Sequence, residues 1–273
     1  MIAVKKLSLS VIGFAVAALF LIPYFRMFIT AVSPKSELNQ IPANYFPSSF
    51  EFGNFIEVFN AAPVATYIRN TLIISVAATL LVMLVSIPAA YYLARFKFKG
   101  RGAILFLVLI TQMFAPTSLV IGLYREFVAL GMVNNFMSLI LVNAAFNLAF
   151  SVWILSGFFS AIPAEIEEAA MLDGCSRFTV LTRVTLPMAL PGLVTAVIFT
   201  FIAAWNEFVI ALTLTSSPEL RPLTVGITNF IGLYEVQWNY LFAVSLIAIV
   251  PVVILFMFIE KWLVSGLTAG GIK

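Results

Sequence analysis

The sequence contains no histidine, and Cys175 is its single cysteine among 273 residues. A disulfide within the chain, a metal site built from several cysteines and catalysis by a histidine are therefore excluded. Charged residues are also scarce, at 10% of the chain, whereas soluble domains carry about 25%. Hydrophobic residues make up 62%, so a soluble fold would have too little polar surface for water. The composition predicts an integral membrane protein.

The chain also lacks a glycine-rich phosphate loop of the form GxxxxGK(S/T), which excludes ATP binding by that route. We therefore expect no cofactor bound to this chain itself. If ATP and Mg²⁺ drive the protein, a partner must bind them. Membrane lipid is an expected partner, and nucleic acid is not.

Six segments are apolar enough to cross a bilayer as helices, which takes about 20 residues each. The first follows Lys5 and Lys6 as a signal peptide would, but it is longer than a signal core of about 7–15 residues and lacks a clean cleavage site. We predict an all-α membrane protein with one transmembrane domain over residues 1–273. The predicted spans are 8–32, 67–94, 103–125, 136–160, 188–213 and 240–264.

The distribution of basic residues orients these spans. An even number of spans places both termini on one side, and ten of the fifteen Lys and Arg residues fall on that side, including the cluster 95–101. By the positive-inside rule, both termini are predicted to be cytoplasmic. The longer connections 33–66 and 214–239 then lie outside, where they either meet an external partner or only cap the helices.

A polar stretch, residues 162–187, separates two predicted spans on the cytoplasmic side and is interpreted as two short helices. Pro163 suits the first helical position, and the acidic residues after it favour a helix N-terminus. Gly174 suits a C-terminal stop, and Ser176 can cap the second helix.

One face of the first short helix carries Ile166, Ala169, Ala170 and Asp173, which recur at helical spacing. The two alanines keep part of this face nearly flat, so another backbone can approach closely. The pattern predicts a helix that docks in a groove on a soluble partner.

The run Glu168–Gly174, followed by Leu186–Pro187, resembles the EAA loop of ABC importer permeases. The resemblance continues through Trp205–Phe208, Pro222–Gly226 and Gly266–Lys273, which look like the carbohydrate-uptake branch of that family, specifically its MalG-type subunit. It is strongest after residue 162 and is only a match of hydropathy before it. Cys175 stands where the family usually has alanine.

The resemblance implies a type I importer permease fold with a cytoplasmic coupling helix that docks on an ATPase. The residues implied in this coupling are Glu168, Ala169, Ala170, Asp173, Gly174, Leu186 and Pro187. The C-terminal tail is either disordered or a second contact with the ATPase.

The same resemblance implies a transport subunit rather than an enzyme, in the cytoplasmic membrane of a bacterium or archaeon. It would import a sugar or oligosaccharide in an ATP-driven, binding-protein-dependent system. The alternative is a polyol, a glycerol phosphate ester or another small polar solute. The implied partners are a second homologous permease subunit, two cytoplasmic ATPase subunits and an extracytoplasmic solute-binding protein.

Several polar residues are predicted to lie at membrane depth, where they usually face a cavity or another helix. Those considered for a solute path are Gln112, Asn143, Asn147, Trp205, Asn206 and Glu207. In one interpretation, Glu207 accepts hydrogen bonds from a hydroxylated ligand and Trp205 stacks on it. In the other, the site only holds one helix against the next. A stripe of Thr71, Ser75 and Thr79 is interpreted as helix packing. Prolines inside spans, including Pro116, predict kinks.

Two other classes of protein fit less well. A secondary transporter typically carries paired ionisable groups on broken helices in repeated halves, and Glu207 is the one carboxylate placed well inside a predicted span. A membrane enzyme would need a nucleophile or metal constellation, which the lack of histidine disfavours. Few basic residues approach membrane depth, and this favours a neutral solute.

Overall fold

The computed structural model describes residues 2–40 and 45–269, with side chains for 10–40 and 45–260. Within these ranges every regular element is helical, apart from a single β-bridge between Ile231 and Val236. The α-helices in chain order are α1 (Ile2–Ala31), α2 (Lys35–Leu38), α3 (Asn54–Ala61), α4 (Val64–Arg95), α5 (Arg101–Thr111), α6 (Pro116–Ala129), α7 (Phe136–Ala161), α8 (Ala164–Leu172), α9 (Arg177–Val180), α10 (Leu186–Met188), α11 (Leu190–Trp205), α12 (Val209–Leu214), α13 (Leu223–Gly226) and α14 (Trp238–Ala269). A π-turn, Leu181–Thr185, joins α9 to α10, and 3₁₀ turns cover Pro218–Leu220 and Ile227–Phe230.

Four of these helices are long and apolar enough to cross a membrane, and the number rises to six if each of two sharply bent helix pairs is one span. The four are α1 from Ser10, α4, α7 and α14 up to Glu260. They coincide with the first, second, fourth and sixth predicted segments. The all-helical membrane fold predicted from the sequence is confirmed.

The third predicted span, 103–125, is not one continuous helix. α5 and α6 meet at an angle of 91° across a break of four residues. Pro116 begins α6, and the residue before it, Ala115, is extended with φ −66° and ψ 130°. Because proline lacks an N–H and pushes the preceding residue out of the helical region, it ends the α5 helix instead of only kinking it.

The fifth predicted span, 188–213, is also broken, at both of its ends. The segment Arg177–Met188 is bent by 81° relative to α11, so residue 188 belongs to the element before the bend. α11 ends at Trp205, and the separate helix α12 starts at Val209. The hydropathy of the segment is continuous, but its backbone is not.

The described chain forms two compact units, one from Met1–Ala65 with Gly226–Pro251 and one from Thr66–Val225 with Val252–Lys273. In the first unit, the buried Asn54 side chain donates to the carbonyl of Ala31 at 2.9 Å and accepts from Asn239 at 3.3 Å. These amide contacts tie α3 and the start of α14 to the end of α1.

The second unit holds the cores that position the site. α11 packs on α7, and Gly192 allows the close approach, since a Cβ there would lie 2.3 Å from Cγ of Phe158. One buried cluster, which includes Leu155 and Phe159, lies between α4, α7 and α11, and a second surrounds Leu139 and Ile210.

Much apolar surface on α1 and α14 is left uncovered by this chain. Phe14 is 78% exposed and Phe258 is 72% exposed. Exposed apolar stretches of this length are found in proteins whose outer faces meet lipid or another membrane subunit.

Candidate functional site

The polar stretch after α7 forms two short helices, as predicted. Pro163 is the capping residue rather than the first helical residue, with φ −55° and ψ 132°, and α8 begins at Ala164. Its first turn carries Glu165 and Glu167, as the helix dipole favours.

The end of α8 is a Schellman motif, which local sequence chemistry specifies. Gly174 has φ +88°, its N–H donates to the carbonyl of Met171 at 3.0 Å, and the N–H of Cys175 donates to the carbonyl of Ala170 at 3.1 Å. The second helix is capped by Ser176, whose Oγ accepts from the N–H of Thr179 at 3.2 Å. The predicted stop and the predicted cap are both confirmed.

Most of the residues implied in coupling are open to solvent in this chain. Glu168, Ala169, Asp173, Gly174 and Pro187 are exposed, and Ala170 and Leu186 are half-buried. A soluble partner can therefore reach most of these residues.

Two apolar side chains that sequence reasoning missed project beside this surface. Leu172 is 90% exposed at the end of α8, and Phe178 is 75% exposed in α9. Together with Ile166 at 38%, they are three large apolar side chains left uncovered on a helix pair that also carries exposed acidic residues. Protruding apolar side chains rimmed by polar residues mark interaction sites. We call the exposed residues of α8 and α9 the coupling surface.

Glu167 lies on the opposite side of α8 and is the functional candidate that the sequence did not reveal. Its side chain is 5% exposed and forms an ion pair at 2.7 Å with Nη2 of Arg95, which ends α4. The Tyr91 hydroxyl donates to the second carboxylate oxygen at 2.9 Å, and the Thr185 hydroxyl donates to the first at 2.6 Å. The partner in α4 is 72 residues away in the chain, and no local pattern links the two.

Burial by itself raises the pKa of the Glu167 carboxyl, but the hydrogen bonds from Arg95, Thr185 and Tyr91 outweigh it and lower the pKa below its ordinary value of 4.5. The group is therefore ionised at neutral pH. Since the folded-state pKa is lowered, the stabilisation by this carboxylate is present above its ordinary pKa and is lost as the pH falls through the folded-state pKa.

Two of the residues considered for a solute path meet at a small cavity. Asn143 on α7 and Glu207 after α11 line it together with Thr71 of α4, and its volume is about 10 Å³. That volume is at the lower limit for one water molecule. A sugar does not fit there without rearrangement of the surrounding helices.

Glu207 also explains why α11 and α12 are separate. Its two carboxylate oxygens accept from the N–H groups of Ile210 at 2.7 Å and Ala211 at 2.9 Å, which caps α12. Its own carbonyl accepts from the Thr224 hydroxyl at 2.7 Å. In this arrangement Glu207 pins neighbouring segments together while one side of it still faces the cavity.

The other path candidates lie elsewhere. The Trp205 ring is buried and stacks on Phe201 with centroids 5.5 Å apart, so it offers no open stacking face. Asn206 is exposed. Gln112, at the break after α5, donates to the carbonyl of Phe146 at 3.0 Å, and Asn147 donates to the carbonyl of Asn143 at 2.8 Å.

The stripe on α4 has the geometry of helix packing. The Thr71, Ser75 and Thr79 hydroxyls each donate to a carbonyl four residues earlier, and Thr71 also accepts from the N–H of Leu223 at 2.7 Å. Nearby, the Ser151 and Thr200 hydroxyls are 3.0 Å apart and join α7 to α11.

The described chain thus combines several candidate membrane spans with an exposed, well-capped polar helix pair. Residues 86–269 match the family model described as "Binding-protein-dependent transport system inner membrane component". The chain belongs to this family of inner-membrane ABC importer permeases, so it is a transmembrane subunit and not the ATPase.

Sequence relatives agree with this family, and a solved structure agrees with the fold. The chain is 36% identical to the sulfoquinovosyl glycerol transport system permease protein of Agrobacterium fabrum, over 93% of this chain and 89% of that protein. It is 35% identical to the trehalose/maltose transport system permease protein of Thermococcus litoralis, over 98% of this chain and 97% of that protein. Its fold matches a chain of a bacterial ABC transporter that imports the acidic polysaccharide alginate, with a TM-score of 0.79, 23% identity and coverage of 95% and 96%.

Proposed function

We propose that this chain is one of two homologous permease subunits of an ATP-driven importer and moves a sugar or oligosaccharide into the cytoplasm. The observation that supports this most directly is the coupling surface. It combines exposed acidic and small residues with the uncovered side chains of Leu172 and Phe178. A surface of this kind suits the groove of a soluble partner.

The partners follow from this role. Two cytoplasmic ATPase subunits bind ATP and Mg²⁺, one below each permease subunit, and an extracytoplasmic binding protein delivers the solute. ATP favours the closed ATPase pair, which draws the two coupling surfaces together and opens the path outward. Each ligand shifts this equilibrium only by its difference in affinity between the two states. Hydrolysis restores the inward-open state.

The proposal of a sugar draws on the transported compounds that the relatives' names give, trehalose and maltose among them. It also draws on the polar lining of the small cavity, Glu207, Asn143 and Thr71, which the surrounding helices must open before a sugar can enter. Of the basic residues nearest to membrane depth, Arg26 donates to the carbonyl of Tyr45 and Arg69 to Asn70. The alternative solutes, a polyol or a glycerol phosphate ester, would use the same machinery.

The test is capture of the affinity-tagged chain from native membranes in mild detergent, followed by mass spectrometry of its companions. We expect an ATPase with a phosphate-binding loop, a second permease and a solute-binding protein. Recovery of the intact chain alone, or only with copies of itself, would overturn the proposal.

The same captured material tests the solute. Native mass spectrometry of the binding protein measures the mass of the compound that it carries from the cell. A neutral sugar or oligosaccharide is the expected result. A polyol or a phosphate ester would replace the sugar with the alternative solute and leave the importer assignment unchanged.

A further inference from the structure

The buried carboxylate of Glu167 is held by three side chains, which we call, together with it, the Glu167 cluster. Arg95 donates from Nε at 2.9 Å and from Nη2 at 2.7 Å to the same carboxylate oxygen, Oε1. Thr185 donates to that oxygen as well, and Tyr91 donates to Oε2. The charges lie almost entirely out of solvent, with the Arg95 side chain 13% exposed and the Glu167 side chain 5% exposed.

The cluster joins three elements that the chain visits far apart. Tyr91 and Arg95 belong to the last turns of α4, Glu167 belongs to α8, and Thr185 belongs to the π-turn that leads toward α11. A third nitrogen of Arg95, Nη1, donates to the carbonyl of Ile162 at 3.0 Å, at the turn between α7 and α8. One guanidinium therefore fixes both the entry of α8 and its first turn.

The π-turn Leu181–Thr185 places one member of the Glu167 cluster. π-turns are rare in helices and occur frequently at functional sites. Here the π-turn ends at Thr185, which is fully buried and hydrogen-bonded to the carboxylate. The coupling surface lies on the other side of α8 and contributes no side chain to the cluster.

A buried ion pair of this kind resists separation, because parting the two groups leaves an uncompensated charge away from water. α8 therefore cannot tilt or slide relative to the end of α4 without losing several charge-assisted hydrogen bonds at once. The rest of α8 is solvent-exposed apart from the half-buried Ala170, and its side chains offer no comparable restraint.

We propose that Arg95 and Glu167 are positioning residues for energy coupling: they make the coupling helix α8 move as one body with the cytoplasmic end of span α4, so that motion of the ATPase reaches the membrane. Neither residue touches the ATPase in this scheme. The inference rests on the proposed function, because it specifies how that function is transmitted through this chain.

The experiment uses the whole complex, reconstituted in nanodiscs, with the binding protein purified from native cells together with the solute that it carries. Basal ATP hydrolysis and its stimulation by the binding protein are measured per assembled complex. The variant is Glu167→Gln, which keeps the shape and removes the charge. The matched control is Glu126→Gln, an exposed carboxylate on α6 that lies outside the coupling surface.

We expect Glu167→Gln to lower the stimulation by about tenfold, within the usual range of coupling between two sites, while basal hydrolysis is retained. Glu126→Gln should leave both rates unchanged, and the charge exchange Arg95→Glu with Glu167→Arg should restore part of the stimulation. Unchanged stimulation in Glu167→Gln would overturn the inference. A lower yield of complex with normal stimulation per complex would do the same, because it shows a role in folding alone.

Two milder variants cover the case in which Glu167→Gln does not assemble. Tyr91→Phe and Thr185→Val each remove one hydrogen bond to the carboxylate and leave the ion pair in place. Each should reduce stimulation by a smaller factor, and full stimulation in both would overturn the inference. If the wild-type chain itself captures no ATPase, the proposed function fails, and this result is distinct from failure of the inference alone.

Discussion

Adjacent carboxylates on α8 have opposite environments. Glu167 is buried and paired, whereas Glu168 is exposed on the coupling surface. Two successive positions of the helix thus hold a residue that anchors α8 to its own chain and one that is available to a partner. Substitutions at the two positions should therefore differ in what they disturb.

At Glu168 the prediction concerns docking. Glu168→Lys reverses a charge on the coupling surface without altering a contact inside the chain, so we expect the protein to remain in the membrane and ATP-driven uptake to fall at least about fivefold. Uptake of the solute carried by the binding protein, in right-side-out vesicles, measures this. Glu126→Lys, an exposed carboxylate on α6, is the control and should transport normally. Normal uptake by Glu168→Lys would contradict the docking assignment.

At Gly174 the prediction concerns backbone conformation. Its φ of +88° costs an ordinary L-residue about 1–2 kcal/mol, and Gly174→Asp adds a negative charge to that strain. We expect Gly174→Asp to lower uptake in the same assay. Gly174→Asn is the matched variant of similar size, since asparagine tolerates this region better, and it should transport more than Gly174→Asp. Equal transport by glycine and aspartate would show that the Schellman stop is dispensable.

At the scale of elements, the contact of α11 with α7 depends on one small residue. A Cβ at Gly192 would lie 2.3 Å from the ring of Phe158, whereas a Cβ at Gly157 of α7 would meet nothing within 4 Å. Helices in membranes associate through close packing at such positions. The close approach therefore requires a glycine in the first turn of this otherwise bulky apolar helix.

Gly192→Ala should therefore destabilise the extracted protein by about 1–3 kcal/mol, the usual cost of overpacking. Gly157→Ala should be neutral or stabilising, because alanine is the better helix former by about 0.5–1 kcal/mol. Thermal unfolding in detergent, followed by circular dichroism, measures both variants against wild type. Equal midpoints for the two variants would show that Phe158 moves aside without cost.

Two of the apolar segments are broken because side chains, rather than hydropathy, decide where a helix ends. Pro116 ends α5 by steric exclusion, and Glu207 starts α12 by taking its first N–H groups. A hydropathy average over about 20 residues is insensitive both to a single proline and to the hydrogen bonds of one side chain. A helix break at Pro116 is within reach of sequence reasoning, whereas the role of Glu207 emerges only from the hydrogen bonds that its carboxylate accepts from Ile210 and Ala211.

For the whole molecule, the charge distribution predicts which loops are cytoplasmic. In a Cys175→Ser background, Lys97→Cys should react with a membrane-impermeant maleimide only in inside-out vesicles. Tyr234→Cys, at a fully exposed position before α14, should react only in right-side-out vesicles. Mass spectrometry of the labelled chain measures the modification. Labelling of both positions from one side would contradict the predicted orientation.

The sequence by itself determined the membrane class, the approximate location of the apolar helices and the capped pair of short helices around Gly174 and Ser176. Each of these depends on hydrophobicity summed over a segment or on hydrogen bonds between residues a few positions apart. Such properties are present in the chain before it folds.

The tertiary structure decided the rest. Whether Glu167 is a solvated first-turn acid or a buried anchor depends on Arg95, which is 72 residues away. The meeting of Asn143 with Glu207 at one cavity likewise depends on how α7 and α11 pack. Burial is a property of the assembled neighbours and not of the residue, and for this reason no local pattern could assign these roles.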